Sequence, residues 1–422
     1  MSKMYGRQCL ADQINNNINS DFEKVPAMKN GICQRCNQFS NFFLPNQERY
    51  CRNCIGLGRI CEKDYLYRNL NAKHYKPLID GGLTWQGKLT QAQERVSNEL
   101  IESFNKHKDH LVHAVTGAGK TEMLFGVIKT CLSAGKTAAI ATPRIDVVDE
   151  LYPRFCEAFS RVKIGKYHGR EFHEPDDEQF IICTTHQLLK FYQAFDLLVI
   201  DEVDSFPFHN DPVLHFGAKQ AVKMQGSCFY LTATPDEKLL KKAKQHEIGY
   251  SLLNRRFHGG LLPIPKNQLY LRPFFKKNKL HPKLVKQIKK IIDNKKPLLI
   301  FVPRIAQLPT YHQIFENTFP KLKIASVHAA DKDRQNKVRQ FRNQELDILL
   351  TTTILERGVT FKSVQVIVLA ADDEIYNTPS LIQIAGRVGR NKDDRTGLVL
   401  FCYHHYTKSL RQANYQIRKM NR

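Results

Sequence analysis

The run Ala114-Val-Thr116-Gly117-Ala118-Gly119-Lys120-Thr121 limits the possible folds more than any other stretch of the chain. It follows the apolar residues 111–114 and precedes a helical pattern over 122–131. Glycines at such a junction let backbone N–H groups close around phosphate oxygens, Lys120 brings charge to the outer phosphates, and the Thr121 hydroxyl suits magnesium. A strand that feeds a helix through a phosphate loop belongs in a parallel sheet covered by helices. The apolar runs 137–141, 180–183, 197–200 and 227–231 extend that sheet, alternating with amphipathic segments. A second series, 298–302, 323–327, 347–350, 364–370 and 397–401, repeats the architecture without repeating the sequence. An α/β chain with two parallel-sheet lobes in tandem is therefore expected.

The run Leu197-Leu-Val-Ile200 delivers Asp201-Glu202-Val203-Asp204 to a strand's carboxyl end, where ligands bind in open α/β sheets. Asp201 at that place suits a magnesium held through water. Glu202 suits the orientation and deprotonation of an attacking water.

Charge divides the chain further. Residues 1–85 carry 12 basic and 7 acidic side chains, 86–265 carry 22 and 22, and 266–422 carry 30 and 12. A neutral middle joined to a basic end points to two lobes with different work, and to a polyanion such as nucleic acid. Residues 276–296 hold nine lysines and one acid, with Leu284, Val285, Ile288, Ile291 and Ile292 at helical spacing. Two readings stay open there: a solvated helix face, and a basic surface that strengthens phosphate binding. No apolar run approaches the roughly 18 residues of a membrane span. The polar first nineteen residues lack a signal-peptide pattern, so a soluble intracellular chain is expected.

Of eleven cysteines, five stand singly (Cys131, Cys156, Cys183, Cys228, Cys402) and read as buried thiols. Cys33-Gln-Arg-Cys36 and Cys51-Arg-Asn-Cys54, with fourteen residues between the pairs, have the spacing of a four-thiolate zinc site. Disulfides or free thiols are the alternative, Cys61 is a possible substitute for Cys54, and Cys9 is spare. So short a segment has little apolar core, so the metal is expected to hold its fold together. Arg35, Arg49, Arg52 and Arg59 permit DNA binding without requiring it, and a protein partner for the module remains open.

Several smaller features read plainly. His404, His405 and the other histidines lack ligand spacing. Trp85 reads as a packing anchor between linker and lobe. Phe206-Pro-Phe208 reads as loop packing, with base stacking as the alternative.

The form A-x-x-G-x-G-K-T of the phosphate loop resembles that of superfamily 2 helicases, and the remaining motifs extend the resemblance. Thr90-Gln-Ala-Gln93 is similar to the adenine-reading glutamine motif. Thr232-Ala-Thr234 is similar to the coupling motif, acting with Asp204. Residues 349–360 (LLTTTILERGVT, including Gly358) resemble the fifth motif, and Gln383-Ile-Ala-Gly-Arg387-Val-Gly-Arg390 the sixth. Arg387 and Arg390, three residues apart on an expected helix, would project to one side and reach the γ-phosphate as arginine fingers. By the same resemblance a DNA strand would be held at Pro143, Arg144, His168, Thr184, Thr185 and His186 on the first lobe, and at Arg304, His328 and Thr352 on the second. Small hydroxyls and amides there hold phosphates without reading bases.

The four-cysteine module ahead of these motifs makes the chain similar, from about residue 33 to 401, to the ComFA family of late competence ATPases. That resemblance implies two RecA-like lobes and an ATP-driven single-stranded DNA translocase on the cytoplasmic side of the uptake channel. It also implies ATP, Mg2+ and Zn2+ as cofactors, a ComFC-like phosphoribosyltransferase-fold partner, and a strand-loading protein as a further candidate. A peripheral place at the inner face of the membrane is left open, as is the oligomeric state. The expected division is a tail over 1–30, zinc module and linker over 31–82, first lobe over 83–265 and second lobe over 266–422. Two competing readings are a PriA-like restart helicase and a zinc-dependent DNA-binding adaptor with an inactive ATPase; intact Lys120, Glu202, Arg387 and Arg390 argue against the second.

Overall fold

A computed structural model describes residues 4–14, 22–70, 75–170, 176–390 and 394–422. The chain forms two compact units, Met1–His113 with Lys120–Leu252, and Ala114–Gly119 with Leu253–Arg422.

In the first unit the main sheet runs in the order Ile164–Tyr167, Phe180–Thr184, Ala138–Thr142, Phe195–Asp201, Val222–Thr232, His110–Ala114 and Gly249–Leu253. Neighbours from Ile164–Tyr167 through His110–Ala114 pair in parallel, with Asp201 opposite Leu231 and Thr232 opposite His113. The central strands Ala138–Thr142 and Phe180–Thr184 are buried at every position, as strands covered on both faces must be. Helices start where the sequence supplies caps. Thr90 accepts from Gln93 N while the Gln93 side chain accepts from Thr90 N, and Asp211 accepts from Val213 N and Leu214 N ahead of Pro212. Trp85 meets the edge of Phe125 at 5.3 Å, anchoring the segment that leads into the first helix.

The expected N-terminal tail is corrected. Gln8–Cys9 and Phe22–Pro26 both pair antiparallel with Tyr65–Asn69. Gln8 Nε2 donates to Leu189 O at 2.9 Å and Gln220 Oε1 at 2.7 Å, and Arg7 lies between the rings of Tyr167 and Phe191, 4.6 and 4.2 Å from their centroids. Gly6, at φ +66°, passes so close to Ala194 that a Cβ there would come within 2.4 Å of it. The expectation that the cysteine module lacks an apolar core is also corrected. Leu10, Ala27, Met28, Ile60, Leu66 and the four paired cysteines belong to one buried cluster with Leu188, Leu189, Phe191 and Phe195 of the main sheet and its connections. The module borrows the core of its neighbour.

The second unit holds a six-stranded parallel sheet in the order Lys266–Leu269, Val399–Tyr403, Gln365–Val368, Leu298–Phe301, Ile348–Thr351 and Ile324–Val327. Its boundary falls before residue 253, not at 266. Leu262 N donates to Asn421 Oδ1 and Leu262 O accepts from Asn421 Nδ2, both at 2.9 Å, while Arg256 is buried against the turn over 386–389. Within the lysine-rich stretch, the helix Pro282–Asp293 buries Leu284, Ile288 and Ile291 and leaves Lys283, Lys286, Lys289 and Lys290 exposed.

Candidate functional site

The sheet of the first unit brings its chemistry to the carboxyl ends of adjacent strands. Asp201 ends the strand Phe195–Asp201 and its Oδ1 receives Lys120 Nζ at 3.2 Å, with both side chains largely enclosed. The same oxygen accepts from Glu202 N at 2.9 Å. Glu202 sits at φ +57°, a conformation that costs any residue but glycine energy and is held where the surroundings impose it. Thr121 is buried beside Lys120 at the start of Lys120–Met123. Gly117 and Gly119 have φ of +80° and +73°, the left-handed geometry that curls the loop and that glycine adopts without strain.

Three residues beyond Asp201, Asp204 is buried and accepts from both threonines of the next strand's end. Its Oδ1 takes Thr232 Oγ1 at 2.7 Å and its Oδ2 takes Thr234 Oγ1 at 2.6 Å, while Thr234 N donates to Thr232 Oγ1 at 2.9 Å. This closed network joins the acidic turn to the turn after Val222–Thr232. Gln93 is buried, and its Oε1 is engaged by Thr90 N and Thr90 Oγ1, both at 3.0 Å, so the side chain expected to read adenine also closes a helix cap.

In the second unit the arginine pair departs from expectation. The helix is Thr378–Ala385 and buries Gln383, whereas Arg387 and Arg390 lie beyond its end. Arg387 is buried; its Nε donates to Glu356 O at 2.9 Å and its Nη1 to Val359 O. It ties the sixth motif to the fifth, around Gly358 at φ +75°, rather than projecting beside Arg390. Arg390 is partly exposed, donating through Nε to Gly386 O at 3.0 Å and reaching Thr360 Oγ1 at 3.4 Å.

Sequence reasoning missed Arg256. Its Nη1 donates to Val388 O at 2.7 Å and Gly389 O at 2.5 Å, and its Nη2 to Gly386 O at 3.0 Å. Burial, with repulsion from Arg390, pulls its pKa down to about 9, so it stays charged at neutral pH. The next residue's amide, Phe257 N, donates to Gly117 O at 3.0 Å. No motif signal marks Arg256, because its partners are backbone carbonyls more than a hundred residues away.

Among the expected strand contacts, Pro143, His168, Thr184, Thr185 and Thr352 are buried, and Thr185 Oγ1 is enclosed without a hydrogen-bond partner. Their side chains are largely enclosed in this conformation, which leaves little of them at the surface. Arg144, His186, Arg304 and His328 do reach the surface, with Arg304 paired to Asp373 at 3.3 Å and Arg144 to Asp146 at 4.0 Å. Phe206 and Phe208 split the open reading between them. Phe208 packs on His215 at 4.6 Å, whereas Phe206 is 86% exposed.

The sulfurs of Cys33, Cys36, Cys51 and Cys54 are buried within 4.8 Å of one another. Cys33 and Cys54 stand 3.7 Å apart and Cys36 and Cys51 3.5 Å, far beyond a disulfide bond and near the roughly 3.8 Å edge of a tetrahedron with 2.3 Å zinc–sulfur bonds. Cys61 lies outside the cluster. Arg35, expected at the surface, is fully buried and donates to Leu57 O at 3.2 Å and Gly58 O at 2.9 Å, bracing the first pair against the loop after the second. A buried cation between two such ligands suits the negative charge of a four-thiolate centre, and the donor set fits zinc.

Two parallel-sheet RecA-like lobes, a phosphate loop facing an acidic strand end and a four-cysteine cluster define a helicase-like ATPase of superfamily 2. Residues 283–392 match the helicase conserved C-terminal domain, and residues 86–237 match the type III restriction enzyme res subunit. Dbp5 of S. cerevisiae, solved bound to RNA and ADP BeF3, shares the fold with a TM-score of 0.60 at 17% identity, covering 79% of this chain and 88% of its own. The competence protein ComFA of Streptococcus pneumoniae is 42% identical over 412 residues, 95% of this chain and 93% of its own. That of Bacillus subtilis is 39% identical over 400 residues, 92% and 85% respectively. The chain belongs to the ComFA family. Among the described residues no helix is long and apolar enough to cross a membrane.

Proposed function

We propose that the chain is an ATP-driven single-stranded DNA translocase that draws transforming DNA into the cell during natural competence. The observation that carries this reading is the spacing of Asp201 and Asp204 on one turn. The first holds Lys120 of the phosphate loop and the second holds Thr232 and Thr234, so phosphate chemistry and the threonine turn share one short segment. Such a segment can pass the loss of a phosphate to the parts that grip a strand.

In this mechanism Lys120 leaves Asp201 for the outer phosphates, and Asp201 and Thr121 are the residues that would hold magnesium, which would neutralise developing charge. Glu202 orients and deprotonates the attacking water. Arg390 is the guanidinium available to the transferred phosphoryl group, while Arg387 shapes the turn that presents it. Asp204, Thr232 and Thr234 couple hydrolysis to the strand, whose backbone meets Arg144, His186, Arg304 and His328. The cytoplasmic face of the uptake channel, a ComFC-like partner and a strand-loading protein complete the reading.

The test is ATP hydrolysis with and without oligo(dT). The strand should stimulate turnover severalfold, and Lys120→Ala or Glu202→Gln should lower it by about a hundredfold or more. Absence of stimulation overturns the motor; turnover near the unaltered level in either variant overturns the assigned roles.

A further inference from the structure

The cysteine module presents aromatic rings that no core explains. Phe42–Phe43 pairs antiparallel with Arg49–Cys51, Phe42 opposite Tyr50 and Phe43 opposite Arg49. Neighbouring residues on a strand face opposite sides, so the pairing sorts rings and guanidiniums onto two faces. On one, the Arg49 guanidinium lies 5.3 Å from the Phe43 ring centroid and 5.7 Å from that of Phe39, giving an alternation of ring, cation and ring. On the other, Phe42 stands 6.2 Å from Tyr50 and 5.3 Å from the Arg52 guanidinium. Phe39 is 65% exposed, Phe43 48% and Phe42 43%.

This arrangement is built into the backbone. Gly31, at φ +74°, lies beneath it, and a Cβ there would come within 2.4 Å of Arg49 Nη1 and 2.7 Å of Phe39 Cε2. Phe39 is pinned by its bridge to Ile32. A side chain at position 31 would have to push aside the Arg49 tip or the Phe39 ring and would adopt a left-handed φ of +74° with strain, although none of these rings contributes to the buried cluster.

We propose that this hairpin is a second contact for single-stranded DNA, with bases stacking on Phe39, Phe43 and Phe42 and phosphates meeting Arg49 and Arg52. Planar rings interleaved with planar guanidiniums match alternating bases and phosphates, and stacking of this kind tolerates any sequence. Charge agrees. Arg52 makes no ion pair among the described residues, and Arg49 has only Glu62 at 4.0 Å. Arg59 is also exposed on this module. The inference rests on the reading of the chain as a single-strand motor, and it adds a grip outside the two lobes.

The test uses the full zinc-loaded chain and oligo(dT). Phe39→Trp places an indole in the stack beside the single native tryptophan, whose signal the unaltered protein supplies for subtraction. Base stacking should quench the new fluorescence, and affinity should stay near the unaltered value. Phe39→Ala with Phe43→Ala should weaken binding at least about tenfold, since each stacked base contributes about 1–3 kcal/mol, with zinc content preserved. An unquenched signal from the introduced indole together with full affinity in the double-alanine variant overturns the platform while leaving the motor standing. Failure of the unaltered protein to bind oligo(dT) overturns both.

Discussion

Arg256 and Arg390 donate to the same acceptor, the carbonyl of Gly386, each at 3.0 Å. Two cations meet on one oxygen, and Arg256 holds two more carbonyls of the turn that carries Arg390. Arg256→Gln removes this clamp and strands buried carbonyls, which costs about 1–3 kcal/mol for each group left unsatisfied. We expect turnover of ATP to fall about tenfold or more, with a smaller change in KM, because the turn loses its shape rather than its nucleotide. Arg256→Lys should recover part of the loss. Steady-state kinetics across the three proteins check this, and a change confined to KM would refute it.

Asp204 supports a separate prediction. Asp204→Asn and Thr234→Val break hydrogen bonds of 2.6–2.7 Å between the acidic and threonine turns. The number of nucleotides travelled per ATP hydrolysed should fall severalfold. Parallel measurement of strand displacement and phosphate release gives this ratio, and an unchanged ratio would remove the coupling role.

For the cysteine cluster we expect one zinc per chain. Cys36→Ser or Cys51→Ser should lower zinc content and thermal stability, whereas Cys61→Ser should alter neither. Because the cluster shares its buried neighbours with the main sheet, stripping the metal with a chelator should destabilise the whole first unit. Metal analysis with calorimetry checks both statements.

His110 is buried with Nδ1 at 2.8 Å from Ser103 Oγ and Nε2 at 2.8 Å from Ser251 Oγ, and burial pulls its pKa down from 6.5 to about 4. The folded state refuses a proton that the unfolded chain accepts. Its contribution is intact above pH 6.5 and is lost as pH falls towards 4, by about 3 kcal/mol in all. Urea midpoints at pH 7 and 5 should show a decline that His110→Gln flattens.

The exposed lysines of Pro282–Asp293 are the remaining case. Lys286, Lys289 and Lys290 all changed to Glu should weaken oligo(dT) binding and reduce its salt dependence, by about 0.7 in logarithmic slope for each phosphate no longer neutralised. Equal slopes would make the face a solvated one.

Much of the fold was legible in the sequence because buried parallel strands are continuous apolar runs. The strands of the two main sheets that escaped notice, Ile164–Tyr167, Gly249–Leu253 and Lys266–Leu269, all lie at sheet edges, where one flank is unpaired and polar residues interrupt the run. The phosphate loop, the acidic turn and the paired cysteines were legible because their chemistry needs fixed spacing. Side-chain direction was not. Arg35 read as a cation open to DNA and Arg387 as an arginine finger, yet each is buried against backbone carbonyls, and Gln93 closes a helix cap. Arg256 and the strand Gln8–Cys9 depend on partners distant in sequence, which local pattern does not contain.

The shared core has a practical consequence for dissecting the protein. A chain cut to begin near residue 83 would keep every helicase motif yet remove Leu10, Met28 and Leu66 from the buried cluster that also holds Leu188, Leu189 and Phe191. Loss of solubility or of ATP turnover in such a fragment would report an uncovered sheet face, and says nothing of what the cysteine module binds. Point changes on the module's outer surface, not its removal, are the means to learn its task.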